Sequence, residues 1–361
     1  MISHTTAGDS PLSERLILSV DAMGGDNAPE MVIEGMQLSL EKHPGTKFLL
    51  FGDQNRIAPL LQQYPRIAAV TEVRHTPDAV TNDDKAAQAL RSGRNSSMRL
   101  AINAVKDGEA HGVVSAGNTG ALMAMAKFVL KTLPGIDRPA LATYFPTKTG
   151  QSLMLDLGAN IECDAENLVQ FAVMGEVFAR QVRGLQYPSV GILNVGAEDL
   201  KGKQSVKEAA TILQETDLPI KFHGFIEGDD IAAGTVDVIV TDGFTGNIAL
   251  KTAEGTAKLF GGFLKDALSS SIMSSIGAML ARPALNRLKM RMDPRRYNGA
   301  MLLGLNGICV KSHGGMDGLA FANAIGVTAD LITTSVNDSI KADYARLHEG
   351  VAPEHLESPE K

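Results

Sequence analysis

Short apolar runs alternate with longer amphipathic segments along most of the chain. Residues 16–20 form the first apolar run, a glycine-containing loop follows it, and residues 29–42 have the spacing of an amphipathic helix. Strands that alternate with helices in this way pair in parallel through right-handed crossovers. The same pattern predicts the remaining strands at residues 48–51, 70–73, 112–115, 141–145, 153–157, 190–194, 220–225, 236–241 and 308–311.

The segments between these strands predict the helices. They lie at residues 96–106, 121–131, 167–182, 206–215 and 246–260, and a closing helix lies within 318–343. The turn Lys148-Thr149-Gly150 separates two successive strands, which predicts a hairpin. The prediction is therefore an α/β fold with a mostly parallel sheet or sheets and flanking helices. A chain of 361 residues is longer than a single hydrophobic core usually supports. We therefore expect two closely joined lobes within residues 15–345.

Composition narrows the function classes. The net charge is −7, tryptophan is absent and aromatic residues make up 5% of the chain, which argues against a nucleic-acid partner. Cys163 and Cys309 are the two cysteines, and neither lies in a CxxC pair, so we expect no metal site. Residues 1–14 are expected to be a disordered leader without an export signal, and residues 346–361 a flexible tail. No apolar stretch has the length of a membrane span, so we expect a cytoplasmic protein.

Five glycine-containing polar motifs follow predicted strands. They are DAMGGD (21–26), SAGNTGA (115–121), LDLGAN (155–160), LNVGAED (193–199) and TDGFTGN (241–247). In an open α/β sheet, ligands bind beyond the carboxyl ends of the strands. Glycine lets backbone amides approach an anion, and the helix that follows presents a positive N-terminus to it. The repetition of this pattern indicates one shared anion site.

Each motif also has a purely structural interpretation. A Gly-Gly pair after a strand is usually turn geometry, and Asp or Asn before a helix is usually an N-cap. For Asp156 or Asn160 alone, capping is the favoured interpretation. For Asn118-Thr119-Gly120 the two interpretations are about equal, because a cap and a phosphate site use the same amides.

Other familiar sites are missing from the sequence. It has no GxxxxGK[ST] phosphate loop, no GxGxxG dinucleotide loop and no GxSxG nucleophile turn. A nicotinamide dehydrogenase is therefore disfavoured, and no cofactor is expected. The histidines are too dispersed for a metal centre, but His313 lies in another strand-end loop, SHGG (312–315), and is kept as a site candidate.

Taken together, the motifs resemble those of the bacterial acyl-ACP:phosphate acyltransferase family. The resemblance rests on DAMGGD, SSM (96–98), VSAGNTGALMA (114–124), RPA (138–140), LDLGAN, LNVGAEDLKG (193–202) and VTDGFTGNIALKTAEG (240–255), in this order. It implies transfer of a fatty acyl group from acyl carrier protein (ACP) to inorganic phosphate, a step of phospholipid synthesis. It also implies a homodimer, and a fold related to phosphate acetyltransferases and the isocitrate dehydrogenase group.

This chemistry assigns roles to the loop residues. Amides and asparagines are expected to bind phosphate or the forming oxyanion, and lysines to offset phosphate charge. The expected catalytic residues are Asn118, Thr119, Asn160, Asn194, Asn247 and Lys201. The expected substrate-binding residues are Asp21, Gly24, Gly25, Asp26, Gly117, Gly120, Asp156, Gly158, Asp242, Gly243, Lys251 and His313. Without a nucleophile motif, direct attack of phosphate without an acyl-enzyme is the simpler expectation.

The segment 259–296 has a different character. Apolar residues recur at helical spacing in its first half, and six basic residues accumulate against one acid, Asp293, in its second half. We expect amphipathic helices whose apolar face packs in a dimer. The basic face is expected to contact acidic ACP or an anionic membrane. A membrane glycerol-phosphate acyltransferase is a further expected partner of the protein.

Two alternative functions remain open. One is a CoA-dependent phosphate acetyltransferase, which shares the chemistry but uses a short acyl donor. The other is a noncatalytic membrane-associated scaffold that would use the amphipathic segment to recruit lipid enzymes.

Overall fold

The strands of the chain form one continuous mixed sheet. The computed structural model describes residues 16–198, 200–216 and 220–349, and within these residues eleven strands pair in the order β3-β2-β1-β4-β11-β10-β5-β6-β9-β7-β8. The strands are β1 (Ile17–Asp21), β2 (Lys47–Gly52), β3 (Thr71–His75), β4 (Gly112–Ser115), β5 (Ala140–Pro146), β6 (Gln151–Leu155), β7 (Ser189–Leu193), β8 (Lys221–Ile226), β9 (Val238–Val240), β10 (Ala300–Leu303) and β11 (Ile308–Lys311).

Helices connect the strands and cover the sheet. They are α1 (Glu30–Ser39), α2 (Gln54–Leu61), α3 (Pro65–Ala68), α4 (Ala86–Ser92), α5 (Ser97–Lys106), α6 (Thr119–Leu130), α7 (Ala165–Arg183), α8 (Gln204–Glu215), α9 (Gly228–Ala233), α10 (Gly243–Ser269), α11 (Ile272–Leu280), α12 (Arg282–Arg291), α13 (Gly318–Thr333) and α14 (Val336–Glu349), with a short 3-10 helix at Pro294–Tyr297. The mixed sheet with flanking helices confirms the predicted fold class.

Apolar side chains explain why these elements pack as they do. Strand β4 is buried along its whole length, and β1 is buried except at its first residue. Helix α7 buries residues around most of its circumference, as expected of a helix enclosed by the core. Its ends are fixed by an Asp164 side chain that accepts a hydrogen bond from the Asn167 amide, and by Gly184 in the left-handed conformation.

The sheet contains two sets of parallel strands that run in opposite directions. Strands β3, β2, β1, β4 and β11 are mutually parallel, and so are β6, β9, β7 and β8. Between the sets, β11–β10, β10–β5 and β5–β6 are three successive antiparallel pairs. The β5–β6 pair confirms the predicted hairpin. Because three reversals separate the sets, their carboxyl ends do not lie along one edge. The division into two lobes stays a prediction.

Several elements differ from the sequence prediction. Strand β10 was not predicted, and neither were helices α2, α3, α4 and α9. The closing helix is two helices, α13 and α14, separated by Ser335 with a positive φ of 50°. Helix α14 runs to Glu349, four residues into the expected tail, while the rest of that tail and the expected leader lie outside the described residues.

The predicted amphipathic segment 259–296 is helical. It comprises the last eleven residues of α10, then α11, α12 and most of the 3-10 helix. Many of its large apolar side chains are exposed, among them Phe263 and Leu280, and no residue of α11 or α12 is buried. Arg291 fixes the end of α12 by donating hydrogen bonds to the carbonyls of Thr147 and Lys148. The apolar face is therefore presented outward.

No single helix among the described residues is both long and apolar enough to cross a membrane. The bent pair α13 and α14 meets those criteria by length and composition alone.

Candidate active site

The loops after β1 and β4 meet at a buried carboxylate. Asp21, at the end of β1, accepts hydrogen bonds from the hydroxyls of Ser97 (2.6 Å) and Ser115 (2.7 Å), and from the amide of Met23 (3.2 Å). Burial raises the pKa of this carboxyl, while the hydrogen bonds oppose that shift. Asp21 therefore ties β1, β4 and α5 together beneath the two loops.

The two loops also approach each other through glycine. A Cβ atom at Gly24 would lie 2.5 Å from the Gly117 amide nitrogen and 2.6 Å from the Asp21 carboxylate. The next loop joins them, because the amide of Asp26 donates to the carbonyl of Gly314 at 2.9 Å. The predicted residues Asp21, Gly24, Gly25, Asp26 and Gly117 thus form the foundation of this first group of loops.

Asn118 caps α6 and holds a neighbouring loop. Its Oδ1 accepts from the Ala121 amide at 3.0 Å. Its Nδ2 donates to the main-chain carbonyls of Thr81 (3.3 Å), Asn82 (3.0 Å) and Asp84 (2.9 Å). Both ends of the side-chain amide are engaged within the protein, so this geometry favours a positioning role over the direct ligand contact expected from the sequence.

A second buried carboxylate organises the loop after β6. Asp156 accepts from the amides of Leu141 (2.9 Å), Ala159 (3.1 Å) and Asn160 (2.6 Å), and from the Asn160 side chain (2.9 Å). Burial raises its pKa, and these donors oppose that rise. The Asn160 side chain also donates to the Pro139 carbonyl at 2.9 Å. The side-chain nitrogen of Asn160 was expected to contact the substrate. As with Asn118, it donates to groups of the protein instead.

Helix α10 packs directly on this loop. A Cβ atom at Gly246 would lie 1.9 Å from the Asp156 carbonyl oxygen, and one at Gly243 would lie 2.6 Å from that of Asn160. Asp242 caps the helix, and its side chain accepts from the Thr245 amide at 2.7 Å. These close approaches explain why two glycines occur in the first turn of a long helix. They also bring Asn247 beside Gly158.

The loop after β7 places two lysines differently. The Asn194 side chain donates to the carbonyls of Gly196 and Lys201, both at 3.1 Å, and so closes the loop on itself. The Lys201 ammonium donates to Glu198 at 2.7 Å, and Lys201 does not line the cleft described below. Lys203 lines the cleft instead, and its ammonium lies 2.7 Å from Asp242.

A cleft of about 1410 Å³ connects the two groups of loops. Its walls are mostly apolar and come from β5, α10 and the end of segment 259–296, including Tyr144, Phe145, Ile248, Phe260 and Met292. Nine predicted site residues line it: Thr119, Gly120, Gly158, Asn194, Asp242, Gly243, Asn247, Lys251 and His313. The other nine, Asp21, Gly24, Gly25, Asp26, Gly117, Asn118, Asp156, Asn160 and Lys201, do not line it.

Two residues that line the cleft have polar side-chain groups that are free to bind a ligand. The side chains of Thr119 and Asn247 make no hydrogen bond with any residue that the structure describes, and both are exposed. Each lies in the first turns of a helix, α6 for Thr119 and α10 for Asn247. A hydroxyl and an amide so placed can donate to an anion together with the positive helix ends.

His313 and Lys311 complete the polar boundary. His313 Nδ1 accepts from the Gly315 amide at 3.3 Å, which leaves Nε2 as the proton carrier in the neutral ring. Partial burial lowers the pKa of His313, and the charges of Lys251 and Lys311 lower it further. Lys311 and Lys203 are the cleft cations that the sequence analysis missed. A signal for Lys311 was present, since it ends a predicted strand directly before the SHGG loop.

Sequence comparison relates almost the whole chain to known proteins. The family model described as "Fatty acid synthesis protein" matches residues 16–339. A phosphate acyltransferase from Rhodospirillum centenum is 62% identical over 349 residues, which cover 97% of this chain and 98% of the relative. A phosphate acyltransferase from Paramagnetospirillum magneticum is 58% identical over 346 residues, which cover 96% and 99%.

Solved structures share the fold at low sequence identity. A phosphotransacetylase from Streptococcus pyogenes aligns with a TM-score of 0.59 and 16% identity, covering 88% of this chain and 94% of that one. The EutD phosphotransacetylase from Staphylococcus aureus gives a TM-score of 0.57 and 18% identity, with coverages of 89% and 95%. These matches confirm the predicted phosphate acetyltransferase-like fold. The chain therefore belongs to the fatty acid synthesis protein family, and its relatives there are bacterial phosphate acyltransferases.

Proposed function

We propose that this chain transfers a fatty acyl group from the thioester of acyl-ACP to inorganic phosphate, giving acyl phosphate and free ACP. The observation that carries the proposal is the composition of the cleft. Its wall is apolar, and its ends hold helix N-termini, cationic side chains and the uncommitted polar groups of Thr119 and Asn247. A fatty acyl chain and an inorganic anion need these two environments side by side. The names of the relatives, phosphate acyltransferases, support the transfer of an acyl group to phosphate.

The proposed reaction is a direct displacement. A phosphate oxygen attacks the thioester carbonyl carbon, the carbonyl oxygen becomes an oxyanion, and the C–S bond then breaks to release the ACP thiolate. Asn247 and Thr119 are the donors we assign to the oxyanion or to phosphate. A well-placed donor typically lowers such a barrier by ~3 kcal/mol. Holding phosphate beside the thioester lowers the activation barrier further, because the two reactants are already positioned for attack.

An acyl-enzyme is not needed for this reaction. Cys163 is the cysteine nearest the cleft loops, and burial raises its pKa to about 12, with the charges of Asp156 and Asp242 adding to the rise. A thiol with this pKa is protonated at neutral pH and is a poor nucleophile. Phosphate is itself an anion at that pH, so it can attack without a strong general base.

The size of the cleft supports a long acyl donor. An acetyl group would fill a small part of about 1410 Å³, whereas a fatty chain can lie along the apolar wall between β5 and α10. Phe260 and Met292 bring segment 259–296 to the same cleft. This placement suits a carrier protein that delivers its acyl chain from outside.

The outward face of segment 259–296 supports the partner proposals. Its exposed apolar residues suit packing in a homodimer, and its exposed basic residues Arg282, Arg287 and Lys289 suit an acidic ACP or an anionic membrane in a cytoplasmic protein. Flotation with neutral or anionic liposomes tests the membrane contact. Recovery of the protein with neither kind of vesicle would contradict it.

A donor series tests the proposed substrate. Purified protein is given phosphate with acetyl-CoA, long-chain acyl-CoA, or ACP charged with acyl chains of increasing length, and acyl phosphate is trapped as its hydroxamate. We expect long-chain acyl-ACP to give the highest kcat/KM. Preference for acetyl-CoA would instead support the phosphate acetyltransferase alternative, which the fold likeness favours. No product from any donor would support the noncatalytic scaffold.

A further inference from the structure

The basic side chains that line the cleft differ in what balances their charge. The Lys203 ammonium lies 2.7 Å from Asp242, and the Lys251 ammonium lies 2.8 Å from Glu254. Each of these two cations is thus already paired with a carboxylate. His313 has a lowered pKa, so its ring is neutral at pH 7. None of the three supplies an uncompensated positive charge.

Lys311 differs from all of them. It is only 8% exposed, and its ammonium donates to the main-chain carbonyls of Ala116, at 3.3 Å, and Ser312. No carboxylate of the described residues lies within ion-pair distance of it, although Asp21 and Asp26 attract it from further away. Asp21 instead accepts hydrogen bonds from the Ser97 and Ser115 hydroxyls and the Met23 amide.

A buried ammonium without a partner anion is unfavourable in a folded protein. The low-dielectric surroundings lower the pKa of Lys311 to about 8, and the positive charge of Lys251 contributes to this shift. An ammonium has three hydrogen-bond donors, and two of these are directed at carbonyls. One donor remains, and Lys311 lines the cleft together with Thr119 and Gly120 at the start of α6.

We propose that Lys311 is the phosphate-binding cation of the cleft, with its free N–H and the N-terminus of α6 directed at the same phosphate group. The carbonyls of Ala116 and Ser312 hold the ammonium in place, because they belong to the loops after β4 and β11 that flank it. The anion completes the ion pair that the fold leaves open. This assignment rests on the proposed function and names the residue that gives the site its selectivity for an anionic acceptor.

Phosphate binding measured without any acyl donor tests the assignment separately from the reaction. The experiment uses calorimetric titration of the intact protein with inorganic phosphate, for the original chain, Lys311→Met and Lys311→Arg. Lys311→Met retains an unbranched side chain one atom shorter and removes the charge, and we expect it to raise the Kd for phosphate about 30-fold or more. Lys311→Arg keeps the charge and should restore most of the affinity.

Lys221→Met is the matched control, because Lys221 is an exposed lysine on the edge strand β8 outside the cleft. It should leave the Kd for phosphate unchanged. Cooperative urea unfolding of each variant establishes that it is folded before titration. Equal phosphate affinity in Lys311→Met and the original chain would overturn the assignment, even if acyl transfer is demonstrated. Loss in Lys311→Met with recovery in Lys311→Arg would support it, even if no acyl donor reacts.

Where acyl transfer is measurable, kinetics provide a second readout. We expect Lys311→Met to raise the KM for phosphate by the same factor as the Kd, with the KM for acyl-ACP changed less than about threefold. A merely structural lysine would alter both constants together, since the loops that it joins border the whole polar end of the cleft. Parallel increases in both KM values would therefore contradict a phosphate contact.

Discussion

Asn118 offers the sharpest test of how the loops are held. Its Oδ1 caps α6, while its Nδ2, which has two hydrogens, donates to three carbonyls of residues 81–84. Asn118→Ser can keep the cap but loses the donors, and Asn118→Ala loses both. An N-cap contributes ~1 kcal/mol, and two side-chain hydrogen bonds contribute ~1 kcal/mol each. We therefore expect the serine variant to lose about 2 kcal/mol and the alanine variant about 3 kcal/mol of unfolding free energy.

Urea denaturation measures these losses, and amide hydrogen exchange locates them. A local loss of ~2 kcal/mol should accelerate exchange in residues 81–84 by about 30-fold in both variants. Turnover should fall in parallel with this loosening, because the loop borders the start of α6. If turnover instead fell by orders of magnitude while stability and exchange in residues 81–84 stayed unchanged, Asn118 would contact the substrate directly, and the positioning role would be refuted.

Three further predictions concern the Asp156 carboxylate, the Cys163 thiol and the Lys311 ammonium. Asp156→Asn replaces one accepting oxygen by a donor and loses two of four hydrogen bonds; we expect a loss of about 3 kcal/mol in urea denaturation, and a loss under ~1 kcal/mol would contradict this network. Cys163→Ala should leave kcat within about threefold, because the thiol is protonated; a hundredfold loss would point to an acyl-enzyme. Finally, the KM for phosphate should rise above pH 8, where the Lys311 ammonium loses its proton.

The sign of this pH effect follows from the charges around Lys311. Asp21 and Asp26 favour its protonated form, Lys251 opposes it, and burial opposes it most, which gives a pKa of about 8. His313, the remaining titratable neighbour, is neutral throughout this range. Phosphate only gains negative charge as pH rises, so weaker binding must come from the protein. A KM for phosphate that stays constant from pH 7 to 9.5 would contradict the assignment.

Much of the fold could be predicted from periodicity alone, and the exceptions have physical causes. Strand β10 has four residues and follows a long basic stretch, so it carries too little pattern to be recognised. Helix α10 begins at Gly243 rather than at residue 246 because Asp242 caps it and the close approach to Asp156 requires glycine. Sequence propensity counts these glycines against a helix.

The candidate site was predicted in part for similar reasons. The five motifs border one cleft or support it. Of the three antiparallel pairs between the strand sets, however, only β5–β6 was predicted, so the sequence did not show that the second set runs opposite to the first. Lys201 was expected in the site, whereas Lys203, on the other side of Gly202, was not. The positive φ of 93° at this glycine turns the chain, and the second lysine lines the cleft while the first pairs with Glu198. The position of Lys311 directly before the SHGG loop was visible in the sequence, but the burial of its side chain was not.

Acyl transfer to phosphate in this cleft requires that phosphate itself become part of the product. The most direct measurement incubates the purified protein with long-chain acyl-ACP and ¹⁸O-labelled inorganic phosphate, and follows acyl phosphate and free ACP by mass spectrometry. We predict equal amounts of both products, strict dependence on phosphate, and one ¹⁸O atom bridging the acyl carbon and phosphorus. Two results would rule out this reaction: release of free ACP at the same rate without phosphate, or release of free ACP with no labelled acyl phosphate formed.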